Sequence, residues 1–134
     1  MYIKRHPCKY NLIRFQPIVD SDEFANVGVV LVSMLTYELH FKVLAKEHNQ
    51  RILDFFAPLK EEVLTQALES VILEFNGLKA ILAEQRKIQY YDYRVVPRDG
   101  LISYSGTRAI LSESPAHTFE HLYSRYIERI GFNT

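Results

Sequence analysis

The sequence has 134 residues, the size of one domain (1–134) with chain enough to bury a core. Sixteen basic side chains cancel sixteen acidic ones, so no global field draws the chain to a polyanion or an anionic membrane. A hydrophobic fraction of 48% with 24% charged is that of a globular chain and argues against disorder.

No apolar run approaches the length of a membrane span, and Met1–His6 lead into no apolar stretch of signal-peptide type. The single cysteine, Cys8, excludes an intrachain disulfide and fits a reducing cytoplasm, which is the expected location. Tyrosine and phenylalanine are abundant (nine and eight) and tryptophan is absent. Tyrosine combines apolar area with a polar tip, which suits interfaces.

Tyr10 to Ile18 alternates imperfectly and reads as a first strand, stopped near Pro17, whose missing N–H cannot serve a central ladder. Asp20 to Glu23 turn the chain into Phe24-Ala25-Asn26-Val27-Gly28-Val29-Val30-Leu31-Val32, the longest β-branched apolar run. That run reads as a strand buried on both faces, pairing with the first as an antiparallel hairpin. Gly28 in its middle predicts a bulge or the close approach of another backbone. Leu39 to Leu44 alternates cleanly and predicts a half-buried third strand with His40 and Lys42 toward water.

From there the period changes. Lys46 to Phe56 predicts a short helix ended by Pro58. Val63, Leu64, Ala67, Leu68, Val71, Ile72 and Phe75 mark one face of a second helix, with Asn76-Gly77 as its C-cap. Leu78, Ile81 and Leu82 suggest a third helix to about Arg86. Gln89 to Pro97 reads as either an edge strand or an irregular loop, and Asp99-Gly100 as a turn. Leu101 to Leu111 predicts a last strand broken by Gly106. Ser114-Pro115 opens a final helix with Phe119, Leu122, Tyr123, Tyr126, Ile127 and Ile130 on its apolar face and Gly131 at its end. The order predicts an α+β domain: a small, mainly antiparallel sheet with helices packed on one face.

Arg14-Phe15-x-Pro17 followed by Asp22-Glu23-Phe24-Ala25-Asn26-Val27-Gly28-Val29-Val30-Leu31 resembles the opening of domain-of-unknown-function family 3037, a bacterial family. Ser105-Gly106-Thr107-Arg108-Ala109-Ile110 and Leu122-Tyr123-Ser124-Arg125-Tyr126-Ile127 look like that family's later strand and C-terminal helix. Arg14-Phe15 stands where the family usually has a tyrosine. The resemblance implies no activity. It implies a setting beside genes for kinases resembling the toxin HipA, and so a partner or regulator in a toxin–antitoxin or other conflict system. That is an association between genes and not a mechanism.

For chemistry the residues offer little. Phe24, Asn26 and Gly28 form a motif that reads as a functional turn or, more plainly, as bulge geometry. His117 and His121 share a helix face, but Glu120 is one position off the His-Glu-x-x-His pattern, and no metal or other cofactor is expected. Ser103, Ser105, Ser112 and Ser114 crowd near Glu113 and His117 without a Gly-x-Ser-x-Gly elbow. They read as turn and cap residues, and an enzyme with an unrecognised site is the third of three readings. Two aromatic-basic clusters carry the others: Tyr2, Lys4, Arg5, Lys9, Tyr10 and Arg14, and then Tyr90, Tyr91, Tyr93, Arg94 and Arg98. Such a mix suits single-stranded nucleic acid, yet a neutral chain is an atypical binder and tyrosine with arginine also makes protein interfaces. The favoured expectation is a non-catalytic interaction module, with Tyr90, Tyr91, Tyr93, Arg94 and Arg98 as its partner surface. If that segment is a strand, Tyr91 and Tyr93 share a face.

Overall fold

A computed structural model describes residues 4–18, 20–96 and 100–128. Tyr2, Pro97, Arg98, Asp99, Ile130 and Gly131, all invoked above, lie outside these residues. The elements run β1 (His6–Phe15), β2 (Ala25–Ser33), β3 (Leu39–Val43), α1 (Asn49–Phe55), α2 (Glu61–Gln85), α3 (Gln89–Arg94), β4 (Ile102–Tyr104), β5 (Arg108–Ser112) and α4 (Pro115–Tyr123). A 3-10 turn over Lys46–His48 precedes α1, and a π-helical turn over Ser124–Glu128 continues α4. The fold is α+β, with every strand pairing antiparallel.

β1 is central. One edge pairs with β2, which pairs in turn with β3, while the other edge is shared by β5 against His6–Tyr10 and β4 against Ile13–Phe15. Leu101 to Leu111 is thus split at Ser105-Gly106-Thr107, and both halves return to the same neighbour. In β2 every residue but Asn26 is buried, as the valine run demands. Its register against β1 slips at Val27, since Ile13 faces Gly28 and Arg14 faces Asn26. Gly28 permits a close approach: a Cβ there would sit 2.6 Å from the Lys42 carbonyl oxygen of β3.

A strand buried on both faces needs cover on both. Phe41, opposite Val30, meets the α2 ring of Phe75 with centroids 5.6 Å apart, whereas its neighbour His40, opposite Leu31, meets Phe119 of α4 at 5.7 Å. Successive strand residues point to opposite faces. Three layers result, with α2 and α3 on one face and α4 on the other, so the expected packing of helices on a single face is corrected for α4. Ser114 caps α4 as read, accepting a bond from the His117 N–H at 3.4 Å, with Pro115 in the first turn.

Two helix expectations fail. Asn76-Gly77 does not end a helix; α2 runs 25 residues and is capped by Arg86 in the left-handed region (φ 53). The buried series Leu64, Leu68, Val71, Phe75, Leu78, Leu82 keeps one phase throughout, and that packing outweighs a glycine cost of about 1 kcal/mol. Gln89–Arg94 is neither strand nor loop but the single-turn-and-a-half helix α3. Helical phase puts Tyr91 inward and Tyr90 with Tyr93 outward, so Tyr91 and Tyr93 do not share a face.

Candidate functional site

Helix α3 has two anchors. Tyr91 is fully buried, and its hydroxyl donates to Asn11 Oδ1 at 2.7 Å, with the Val30 carbonyl at 3.3 Å. Asn11 Nδ2 in turn donates to the Ser105 carbonyl at 2.8 Å and to Thr107 Oγ1 at 2.9 Å, while Ser105 Oγ accepts from the Leu12 N–H at 2.8 Å. This buried network ties α3 to β1 and to the break between β4 and β5. Burial pushes the Tyr91 hydroxyl well above the ordinary tyrosine range, with Asp92 and Tyr104 adding to the shift. The second anchor is Lys9 Nζ against Asp92 Oδ1 at 3.0 Å, an exposed-edge pair worth at most about 1 kcal/mol.

So held, α3 turns Tyr90 (40% exposed) and Tyr93 (80% exposed) outward. With the α2 residues Leu78 and Ile81, and with Lys87, Gln89 and Arg94, they line a groove of about 590 Å³. Leu78 is buried at its floor and Ile81 is partly open at its wall. Among the described residues the lining includes Lys87 and Arg94 and no carboxylate. Of the expected partner surface, then, Tyr90, Tyr93 and Arg94 come together, Tyr91 is core, and Arg98 lies outside the described residues. The sequence pattern assigns Leu78 and Ile81 to a separate third helix. Their role as floor and wall follows only from α2 continuing past Gly77 to meet α3.

The other candidates disperse. Lys9 and Asn11 face α3, whereas Tyr10 and Arg14 face the opposite side with α4, which splits the N-terminal basic cluster. Phe24, Asn26 and Gly28 flank the register slip of β2; the Arg14 guanidinium lies 4.1 Å over the Phe24 ring, and Asn26 Oδ1 is buried without a partner. Ser112 Oγ bonds Thr118 Oγ1 at 2.6 Å and accepts from the Ser114 N–H at 3.1 Å, so both serines serve the start of α4. His117 and His121 are exposed. Among the described residues no three His, Cys, Asp or Glu side chains gather as a metal site. Cys8 is buried, and burial with Glu38 nearby pushes its thiol up, away from a reactive thiolate.

A family model described as "Protein of unknown function (DUF3037)" matches residues 10–127. The chain belongs to this family. The match takes in every element of the DUF3037 fold seen here except residues 6–9 of β1 and Glu128 at the end of the π-helical turn. No curated protein and no solved structure matches the chain. Among the described residues of this DUF3037 chain no helix is long and apolar enough to cross a membrane.

Proposed function

We propose that the chain is a non-catalytic interaction module of the cytoplasm whose α2–α3 groove takes an apolar segment of a regulatory protein partner. The observation that carries this reading is the pairing of an anchored helix with outward rings. Tyr91 and the Lys9–Asp92 pair hold α3 in place, and Tyr90 and Tyr93 stand beside the apolar floor. Rigid aromatic side chains lose little entropy on binding and dominate interface energetics. Lys87 at the rim favours a segment whose apolar face is bordered by Asp or Glu. Kinases resembling HipA, implied by the family resemblance, are the first partners to test.

The test places a photo-crosslinking amino acid at position 93, identifies the captured partner, and measures its Kd against wild type and the Tyr90→Ala/Tyr93→Ala variant. Each truncation of an aromatic anchor costs about 2 kcal/mol, so the double variant should bind at least about a hundred-fold more weakly with an unchanged melting transition. An unchanged Kd refutes the reading. So does a wild type that binds single-stranded RNA or DNA with a steep salt dependence at these tyrosines, which would make the groove a nucleic-acid surface.

A further inference from the structure

A second cavity, of about 460 Å³, is bounded by the 3-10 turn with α1 on one side and by the junction of α4 with its π-helical turn on the other. It shares no lining residue with the α2–α3 groove. Its floor is apolar and fixed. Leu44, Tyr123 and Ile127 are buried there, and the Tyr123 hydroxyl donates to the Val43 carbonyl at 3.3 Å. Charges of both signs line the rest. Lys42 and Arg51 stand with Glu47 and Glu128, so that with His48 neutral the lining carries no net charge. Lys42 is already engaged, 4.5 Å over the Tyr123 ring and 3.8 Å from Glu120 Oε2. Arg51 is held more weakly. Its Nη2 donates to the Ile127 carbonyl at 3.4 Å, near the limit of a hydrogen bond, and its Nε is buried without a partner. Among the described residues neither Arg51 nor Glu47 nor Glu128 forms an ion pair, and both glutamates are exposed.

We infer that this cavity is a binding site for a small zwitterion of the α-amino-acid class with an apolar side chain. The Arg51 fork takes the carboxylate, Glu47 and Glu128 take the ammonium, and the apolar side chain covers Leu44, Tyr123 and Ile127. The volume lies within the range of about 300–1,000 Å³ usual for small-molecule pockets, which pair an apolar lining with a few polar groups that fix orientation. The balance of charge selects the class. A lone carboxylate would meet Arg51 but also the field of two glutamates, and a lone amine would leave Arg51 unanswered. A ligand carrying both signs satisfies both sides of the cavity. The Tyr123 hydroxyl already feels these opposed charges: burial pushes it above the ordinary tyrosine range, Glu128 adds to the shift and Arg51 opposes it.

Isothermal titration of the whole chain with L-leucine and L-phenylalanine tests this. One saturable site is expected for the better-fitting of the two. Its deaminated analogue (isocaproate or phenylpropionate) and its decarboxylated one (isoamylamine or phenylethylamine) should each bind roughly ten-fold or more weakly, the worth of a charged hydrogen bond. Arg51→Gln should weaken the amino acid by a similar factor. The exposed pair Glu47→Gln/Glu128→Gln should fold as wild type and bring the amino acid down to the affinity of its deaminated analogue. Lys87→Ala, in the groove, should bind as wild type, which keeps this site's failure separate from the groove's. No saturable binding of either amino acid below about 10 mM overturns the inference. So does an analogue lacking one charge that binds as tightly as its parent, or a folded glutamate double variant with wild-type affinity.

Discussion

Removing the Asn11 side-chain amide should cost more than removing the tyrosine hydroxyl it binds, and removing both should cost less than the sum. Tyr91→Phe deletes one donor from a buried bond of 2.7 Å, and Asn11 Oδ1 keeps the Thr107 hydroxyl at 3.3 Å. The loss is therefore that of one net hydrogen bond, about 1–1.5 kcal/mol. Asn11→Leu preserves shape but strips the Tyr91 hydroxyl of its short acceptor and the Ser105 carbonyl of its 2.8 Å donor. Two buried groups are left under-satisfied at about 1–3 kcal/mol each, so the expected cost is about 3–4 kcal/mol. That is a large part of a stability of about 5–15 kcal/mol. In the double variant the hydroxyl that Asn11→Leu orphans is gone, and a favourable coupling of about 1 kcal/mol or more should appear. Urea unfolding followed by circular dichroism measures all three variants. Because the folded chain keeps the Tyr91 proton above the ordinary tyrosine pKa of 10.0, stability is whole below that pH and drains as pH rises beyond it. Tyr91→Phe should flatten that alkaline loss, with the raised pKa of Tyr123 leaving part of it. Strict additivity, or a Tyr91→Phe chain as stable as wild type with an unchanged alkaline profile, would refute the network.

Gly28→Ala should destabilise the domain by about 1–3 kcal/mol, the usual cost of overpacking. The added Cβ meets backbone on β3 at 2.6 Å and Ile13 Cδ1 at 3.1 Å, and β3 cannot withdraw without loosening its ladder to β2. A neutral melting shift would show that the strands part freely there. Val29→Asp, at a fully buried position under α4, should abolish soluble folding, since an unpaired buried carboxylate costs several kcal/mol. A variant melting within a few degrees of wild type would contradict the central place of β2.

The family and the α+β class were legible in the chain because they rest on local signals. The valine run of β2, the alternation of β3, the helical spacing of α2 and the Ser114-Pro115 start of α4 each determine their element within a few residues. The same was not true of Gln89–Arg94. Three tyrosines in five residues have strong strand propensity, and only the buried acceptor on Asn11, eighty residues away in sequence, selects the helical phase that takes Tyr91 inside. Gly77 likewise looked like a stop until Leu78 and Leu82 found the core that carries α2 past it. The candidate sites divide the same way. Residue types announced aromatic-basic clusters, but strand alternation sent Lys9 and Arg14 to opposite faces, and helical phase took Tyr91 inward, away from Tyr90 and Tyr93. Local sequence determines which elements form, because propensity and periodicity act over a few residues. Which side chains meet is set by long-range pairing and by the burial of polar groups that must find partners, and those only the tertiary structure decides.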